Sequence, residues 1–270
     1  MKKTIITHFI NFTLSISIFL LIVLSIFSIT IFNEKYLLNF LTKENYYEKS
    51  YQSIVDHFEN NLIQSGIEEN IIEKVIKKEY VIEDINSIIA NIYTNKQISI
   101  NSINIRTNFN NTITDILKEH NRYPSIEEQN DIKVLEDKLS NIYEKELLYS
   151  PDLINKLYQN INILKKLTYV LIIIISLIII NLLAIIIYHL KDIKKNIGIA
   201  LLSSGLIFTA IKYYIGDTFK YILFINKNFS ELVINIITNI LKYVGIIGLI
   251  LSLLGFILII LSIFKKKNQN

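Results

Sequence analysis

Cysteine and tryptophan are absent from this chain of 270 residues. Without cysteine there can be no disulfide, no thiolate nucleophile and no cysteine-ligated metal site, so packing alone must hold together any domain outside a membrane. Arginine is nearly absent too, because it occurs only at Arg106 and Arg122. Ile, Asn and Lys dominate instead, a bias that is typical of AT-rich genomes and predicts a low-GC bacterium as the source.

Sequence signatures of catalysis are also missing. The chain has no Walker A loop, no dinucleotide-binding glycine pattern, no G-x-S-x-G elbow and no H-E-x-x-H zinc motif. Asp56 and His57, with Glu59 nearby, come nearest to a metal or acid–base cluster, but adjacent residues on a helix point in different directions. A solvated helix face is the better interpretation. With no basic stripe either, the sequence predicts a non-enzymatic protein that uses no cofactor and binds no metal or nucleic acid.

Long apolar runs are what the chain has in place of these motifs. It is 51% hydrophobic, with a mean hydropathy of +0.39, which is typical of a chain that is part membrane and part soluble. Residues 167–190 contain no charged side chain and exceed the ~20 residues that a bilayer requires. Similar runs cover residues 8–32 and 244–264, and a further run, which includes Lys212 near its end, covers residues 197–215. We expect four transmembrane helices, with the lipid bilayer as the first partner.

The first run, residues 8–32, has two possible interpretations. A basic start before an apolar core also describes a signal peptide. A secretory apolar core has ~7–15 residues and ends at a small-residue cleavage site, whereas this run is longer and continues through SITIF into NEKY without an A-x-A site. We therefore predict an uncleaved membrane anchor.

Lysines predict how the chain crosses the membrane. They cluster beside the apolar runs in three short flanks, residues 1–7, 191–196 and 265–270. With four spans, all three flanks lie on one side, which the positive-inside rule makes cytoplasmic. The prediction is a multi-pass protein of the cell membrane with both termini in the cytoplasm, and with residues 33–166 and 216–243 outside.

Residues 33–166 have the 3.6-residue periodicity of amphipathic helices, with apolar side chains recurring at i, i+4 and i+7. Ser125 and Glu128 have the spacing of a capping box, as do Ser65 and Glu68, and Gly66 stands where a helix often ends. Lys96–Ile105 is ambiguous between a strand and an extended connector, and the connector is favoured because no second strand is evident. The predicted fold is all-α: a four-span transmembrane bundle with a helical extracytoplasmic domain inserted between spans 1 and 2.

Two predicted helices continue from polar into apolar sequence. Pro151 is suited to the first turn of a helix, and the apolar stripe that follows it leads directly into the span at Leu167. A second stripe begins at Phe229 and leads into the span at Val244. We expect these extensions to pack together on the outer side.

Small and polar residues within the spans mark possible helix-packing positions. Small residues let helix backbones approach closely, where dispersion contacts hold them together in lipid. We favour packing within one bundle over a dimer face, which leaves a homo-oligomer possible. The marked residues are Asn181, Gly205, Gly245, Gly248, Ser252 and Gly255.

Tyrosine is abundant in the predicted outer domain. Tyr46, Tyr47 and Tyr51 lie close together in the sequence and are candidates for binding a partner, because amphipathic aromatic side chains suit interfaces. We expect most of the other tyrosines, among them Tyr123, to lie at the edge of the core.

The order of one span, an outer domain and three further spans resembles that of permeases of the FtsX and MacB type, which work with a cytoplasmic ATPase. In those proteins the segment between spans 2 and 3 contacts the ATPase, and residues 191–196 are short for that role. Our first hypothesis is a non-enzymatic binding, scaffold or sensing protein whose outer domain engages an envelope protein. The alternative is a permease-like subunit of a transporter driven by a separate ATPase.

Overall fold

The computed structural model describes residues 2–62, 71–96, 98, 100, 102–148, 151–190, 192–218 and 227–267. Over these residues every regular element is helical, which confirms the all-α prediction. The helices are α1 Lys2–Ile29, α2 Glu34–Lys43, α3 Tyr46–Leu62, α4 Ile72–Val75, α5 Lys78–Thr94, α6 Ile103–Glu119, α7 Ile126–Leu148, α8 Pro151–His189, α9 Ile193–Thr218 and α10 Lys227–Lys267.

Four of these helices are long and apolar enough to cross a membrane. The candidate spans are Thr4–Ile29 in α1, Gln159–His189 in α8, Ile193–Ile215 in α9 and Ser230–Lys265 in α10. Their positions agree with the four apolar runs of the sequence. By length and composition, the chain therefore has the spans of a multi-pass membrane protein.

The chain divides into two compact units. The apolar unit comprises Met1–Asn33, Ile163–Ile225 and Val233–Asn270, and the helical unit comprises Glu34–Asn162 and Asn226–Leu232. The helical unit thus contains α2 to α7, the beginning of α8 and the first turns of α10. Each unit has its own core.

The core of the helical unit is built from the apolar stripes of its helices. Phe58 on α3, Phe109 on α6 and Tyr143 on α7 are completely buried. The first turns of α10 pack on the same core, since Ser230 and Leu232 are buried. These side chains follow the 3.6-residue period, so one face of each helix is removed from water and the opposite face stays polar.

Polar contacts complete this packing. Lys49 Nζ donates to Glu231 Oε1 at 2.6 Å, and Asn228 Nδ2 donates to the Lys49 carbonyl oxygen at 3.1 Å. The Tyr143 hydroxyl donates to Asp84 Oδ2 at 2.7 Å. Burial raises the pKa of Tyr143, and its acceptor Asp84 raises it further, whereas desolvation is the main cause that raises the pKa of Asp84.

The two predicted continuous helices are present. Helix α8 runs without interruption from Pro151 to His189, and α10 runs from Lys227 to Lys267. Helix α8 ends one residue before the end of the predicted span, and α9 begins at Ile193, so the connection between them is shorter than the predicted turn 191–196.

Other boundaries differ from the prediction. Helix α1 already begins at Lys2, within the flank that we expected to precede it. The connector after α5 ends earlier than expected, because Ile103 and Ile105 belong to α6; their apolar spacing suits the helix as well as it suits an extended segment. Gly66 and the capping box at Ser65 and Glu68 lie outside the described residues.

The apolar unit has two clusters of buried side chains. In the first, Ile10 and Leu14 of α1 pack with Ile186 of α8 and Ala200 of α9. In the second, Ile26 of α1 packs with Phe208 of α9 and Val244 of α10. Helices α1 and α9 take part in both clusters.

Candidate partner-binding surface

The turn between α6 and α7 presents an exposed aromatic side chain on a fixed backbone. Helix α6 ends in a Schellman motif, in which the Arg122 amide donates to the Leu117 carbonyl at 2.9 Å and the Asn121 amide donates to the Lys118 carbonyl at 2.9 Å. Asn121 has the left-handed conformation that this motif requires, with a φ of 49°. Asparagine tolerates this conformation better than most residues.

Helix α7 begins in the capping box that the sequence predicts. The Ser125 amide donates to Glu128 Oε2 at 2.8 Å, and the Glu128 amide donates to Ser125 Oγ at 3.2 Å. Arg122 also forms an ion pair with Glu128, which joins the two sides of the turn. The hydrogen bond from the Ser125 amide and the charge of Arg122 lower the pKa of Glu128, so this carboxylate stays ionised at neutral pH.

Tyr123 and Ile126 are held at the surface by these contacts. Tyr123 is 95% exposed and Ile126 is 80% exposed, the highest values among the exposed large apolar side chains of the described helical unit. We expected Tyr123 at the core edge, and that prediction was wrong, because the turn directs the side chain away from the core. An exposed aromatic on a rigid turn loses little conformational freedom on binding, which favours a protein interface.

The predicted tyrosine candidates lie elsewhere, on the first turns of α3, and are partly buried. The Tyr47 hydroxyl donates to Asn86 Oδ1 on α5 at 2.6 Å. Burial raises the pKa of Tyr46, Tyr47 and Tyr51. These side chains therefore contribute to packing within the helical unit and expose less surface than Tyr123, while their role in binding stays a prediction.

His57 is paired across the unit rather than with its sequence neighbours. Its Nδ1 lies 3.0 Å from Glu146 Oε1 on α7, and Ser53 Oγ donates to Glu146 Oε2 at 3.2 Å. Asp56 instead accepts a hydrogen bond from Gln52 Nε2 at 3.1 Å. A catalytic serine must contact the histidine that removes its proton, whereas Ser53 contacts the carboxylate, so this trio has the geometry of a link between α3 and α7.

The part of the chain that the structure describes contains no group of three His, Asp or Glu residues that could hold a metal ion. A shallow groove of about 550 Å³ runs along α7, where Val134 and Ile142 supply its apolar lining. Charged and amide side chains make up the rest of its lining, namely Asn61, Asp137, Lys138, Asn141 and Lys145.

The predicted helix-packing glycines lie between α9 and α10. A Cβ atom added to Gly205 would lie 2.5 Å from the Gly248 carbonyl oxygen and 2.6 Å from the Ser252 amide nitrogen. One added to Gly255 would lie 2.6 Å from the Gly198 carbonyl oxygen. At these positions the two backbones are too close for any side chain.

Gly245 and Asn181 have different surroundings. A Cβ atom added to Gly245 would meet the flexible side chain of Lys212 rather than backbone. Asn181 is exposed on α8, where its Nδ2 donates to the Leu177 carbonyl of the same helix at 2.9 Å. Asn181 therefore makes no described contact with another span.

The interhelical polar contacts of the apolar unit involve residues outside the predicted packing positions. Asn11 Nδ2 on α1 donates to Asn196 Oδ1 on α9 at 2.9 Å, and both residues are buried. Two turns along α9, Ser204 Oγ lies 3.2 Å from Ser15 Oγ. Asn11 and Ser15 are four residues apart and so lie on one face of α1; this polar pair in an apolar helix is the sequence signal that marks the face, although it does not identify the partners on α9.

Because comparisons with known proteins found no match, a function is proposed from the residues alone. No family model matches the chain, and it has no match among curated proteins or among solved structures.

Proposed function

We propose that this chain is a non-enzymatic membrane protein whose helical unit lies outside the cytoplasm and binds an envelope protein through the α6–α7 turn, residues 120–126. The observation that carries the proposal is the exposure of Tyr123 on a backbone fixed by a Schellman motif, a capping box and an ion pair. A tyrosine of this kind is a frequent hot-spot residue, because it buries a large area with few rotatable bonds.

The proposed topology rests on charge and helix length. Lysines of the three short flanks fall on one side if all four helices cross, and the positive-inside rule makes that side cytoplasmic. Helices α8 and α10 have 39 and 41 residues, roughly twice what a bilayer requires. Their ends beyond the bilayer would connect the spans to a domain inserted between spans 1 and 2.

A protein partner is favoured over a lipid surface. Helices and turns that bind membranes are rich in Lys and Arg beside their apolar side chains. Residues 118–128 instead hold three acidic residues against two basic ones, and Arg122 is already paired with Glu128. An anionic surface would therefore gain little from this turn, whereas an aromatic side chain in a mixed-charge surround suits a protein interface.

Site-specific photo-crosslinking in cells tests the proposal. A photoreactive residue replaces Tyr123 in one variant and Ile103 in the other. Ile103 is a matched control, because it is also an exposed apolar residue, at 63%, but lies at the opposite end of α6. We expect one envelope protein to be crosslinked from position 123 and not from position 103.

The other outcomes separate the alternatives. A cytoplasmic ATPase in the crosslinked product would favour the permease hypothesis, a second copy of this chain would assign the turn to a homo-oligomer, and lipid adducts alone would assign it to the membrane. Absence of any product from position 123 would contradict the proposal. If a partner is found, Tyr123→Ala should weaken its binding by about 2 kcal/mol, or roughly 30-fold.

A further inference from the structure

Lysine and tyrosine recur together at one end of α9 and α10. Helix α9 has Lys212, Tyr213 and Tyr214 in succession, and α10 has Lys242 and Tyr243. Tyr213 is 70% exposed and Tyr243 is 46% exposed, and both lysines are exposed. We call these four residues, Lys212, Tyr213, Lys242 and Tyr243, the lysine–tyrosine end.

The contact between the two helices brings this set to one level. Gly198 of α9 faces Gly255 of α10. Gly205 lies seven residues further along α9, and it faces Gly248, which lies seven residues earlier on α10. The helices are therefore antiparallel, and the next step of seven brings Lys212 level with Leu241 and Lys242. Independent of this register, the Lys212 side chain lies against Gly245, one turn from Lys242 on α10.

Among the described residues, neither lysine has a carboxylate partner. No ion pair of the described residues includes Lys212 or Lys242. The described side chains of α9 and α10 include one carboxylate, Glu231, and it pairs with Lys49. Lys212 Nζ lies 5.7 Å from the centre of the Tyr213 ring. Two ammonium groups at one level repel each other unless an anion lies between them.

The level of the lysine–tyrosine end agrees with a phospholipid headgroup. Lys195 and Tyr213 are separated by roughly 27 Å along α9, and Tyr243 and Lys265 by roughly 33 Å along α10, at 1.5 Å a residue. The apolar core of a bilayer is about 30 Å thick. Tyrosines concentrate at headgroup level, and basic sites between spans bind anionic headgroups.

We propose that Lys212 and Lys242 bind the phosphate of an anionic phospholipid, with Tyr213 and Tyr243 beside the headgroup. The inference does not depend on the proposed protein partner. It names a site for one class of lipid, whereas the exposed apolar faces of the spans contact lipid of any class.

Native mass spectrometry of the full chain in detergent tests this site. The protein is titrated with phosphatidylglycerol and, separately, with zwitterionic phosphatidylcholine. We expect at least fivefold preference for phosphatidylglycerol, which the double variant K212Q/K242Q loses. The control K165Q/K166Q removes the same charge from lysines that precede Tyr169 on α8, and should keep the preference.

Three results would overturn the proposal. Equal loss in both double variants would show diffuse attraction rather than a site, and no loss in K212Q/K242Q would remove these lysines from binding. Competition by millimolar inorganic phosphate at the same affinity would assign the site to a soluble anion. The variant K212R/K242R keeps both charges and should retain binding, which separates loss of the site from loss of the fold.

Discussion

The helical unit and the apolar unit differ in the side chains that they expose. The helical unit buries large apolar side chains such as Phe58 and Phe109, while its exposed faces are charged. The apolar unit buries apolar side chains too, together with polar ones such as Asn11, but apolar side chains such as Ile173 at 61% and Leu253 at 61% are also exposed. Removal of apolar area from water stabilises the first arrangement. Between spans in lipid that driving force is lacking, so close backbone approach and hydrogen bonds take its place.

Charge separates the two regions as well. Residues 34–162 contain 21 acidic and 14 basic residues, a net charge of −7, and the rest of the chain contains 3 acidic and 14 basic residues, a net charge of +11. The overall charge of +4 therefore conceals two regions of opposite sign. Basic residues beside membrane spans attract anionic headgroups, and the acidic balance of the helical unit suits an aqueous surface.

The largest effect is expected in the core of the helical unit. Phe58→Ala removes a completely buried ring and should lower the free energy of unfolding of this unit by about 3–5 kcal/mol. Hydrogen exchange of the full chain in detergent, resolved by peptide, measures the loss in α3 and α7. Leu253→Ala in the apolar unit is the control, and a comparable loss from that exposed residue would contradict the contrast between the two units.

A smaller effect is expected at the glycines of the spans. Gly205→Ala forces backbone atoms of α9 and α10 apart and should destabilise their contact by about 1–3 kcal/mol. The identical change Gly245→Ala meets only the flexible Lys212 side chain and should cost less than about 0.5 kcal/mol. Unfolding of each variant in mixed detergent measures the difference; equal losses would show that close backbone approach is not what holds these helices.

Tyr143→Phe should lower the stability of the helical unit by about 1 kcal/mol at neutral pH, because it removes the hydrogen bond to Asp84.

Raised tyrosine pKa values also predict that the helical unit loses stability at alkaline pH. Burial raises the pKa of Tyr93 to about 12 and also raises that of Tyr143. Their stabilisation is complete below the unfolded value of about 10 and declines as the pH rises through the folded values.

Urea unfolding between pH 8 and pH 12, followed by hydrogen exchange or circular dichroism, measures this decline. The double variant Tyr93→Phe/Tyr143→Phe should lose less stability than the wild-type chain over the same range. A wild-type chain whose stability rises above pH 10 would contradict the assigned direction.

The smallest effect is expected at the buried amides of the spans. Asn11→Leu removes the hydrogen bond to Asn196 and should cost about 0.6 kcal/mol. Asn181→Leu is the matched control, because Asn181 is exposed and bonds only within α8 in the described structure, so it should cost nothing measurable. Unfolding in mixed detergent compares the two, and a larger cost for Asn181 would reverse their assignment.

Periodicity made most helices of the helical unit predictable from sequence, because water on one side leaves only one face of each helix apolar. The spans were predictable from the length of their apolar runs. The capping box at Ser125 was predictable for a local reason, since two residues three positions apart, Ser125 and Glu128, determine it. The pairing of Asn11 with Asn196 was not, because it depends on which spans become neighbours. The prediction for Tyr123 failed for a similar reason. Its amphipathic side chain suits a core edge, and only the left-handed turn at Asn121 directs it to the surface.

Cysteine accessibility in intact cells tests the central claim most directly, since the natural chain contains no cysteine to interfere. Ile103→Cys, at an exposed position of the helical unit outside the proposed interface, and Lys195→Cys are each treated with a membrane-impermeant maleimide before and after permeabilisation. We expect position 103 to react in intact cells and position 195 to react only after permeabilisation. Labelling of position 195 in intact cells, with position 103 protected until the membrane is opened, would place the helical unit in the cytoplasm and contradict the proposed topology.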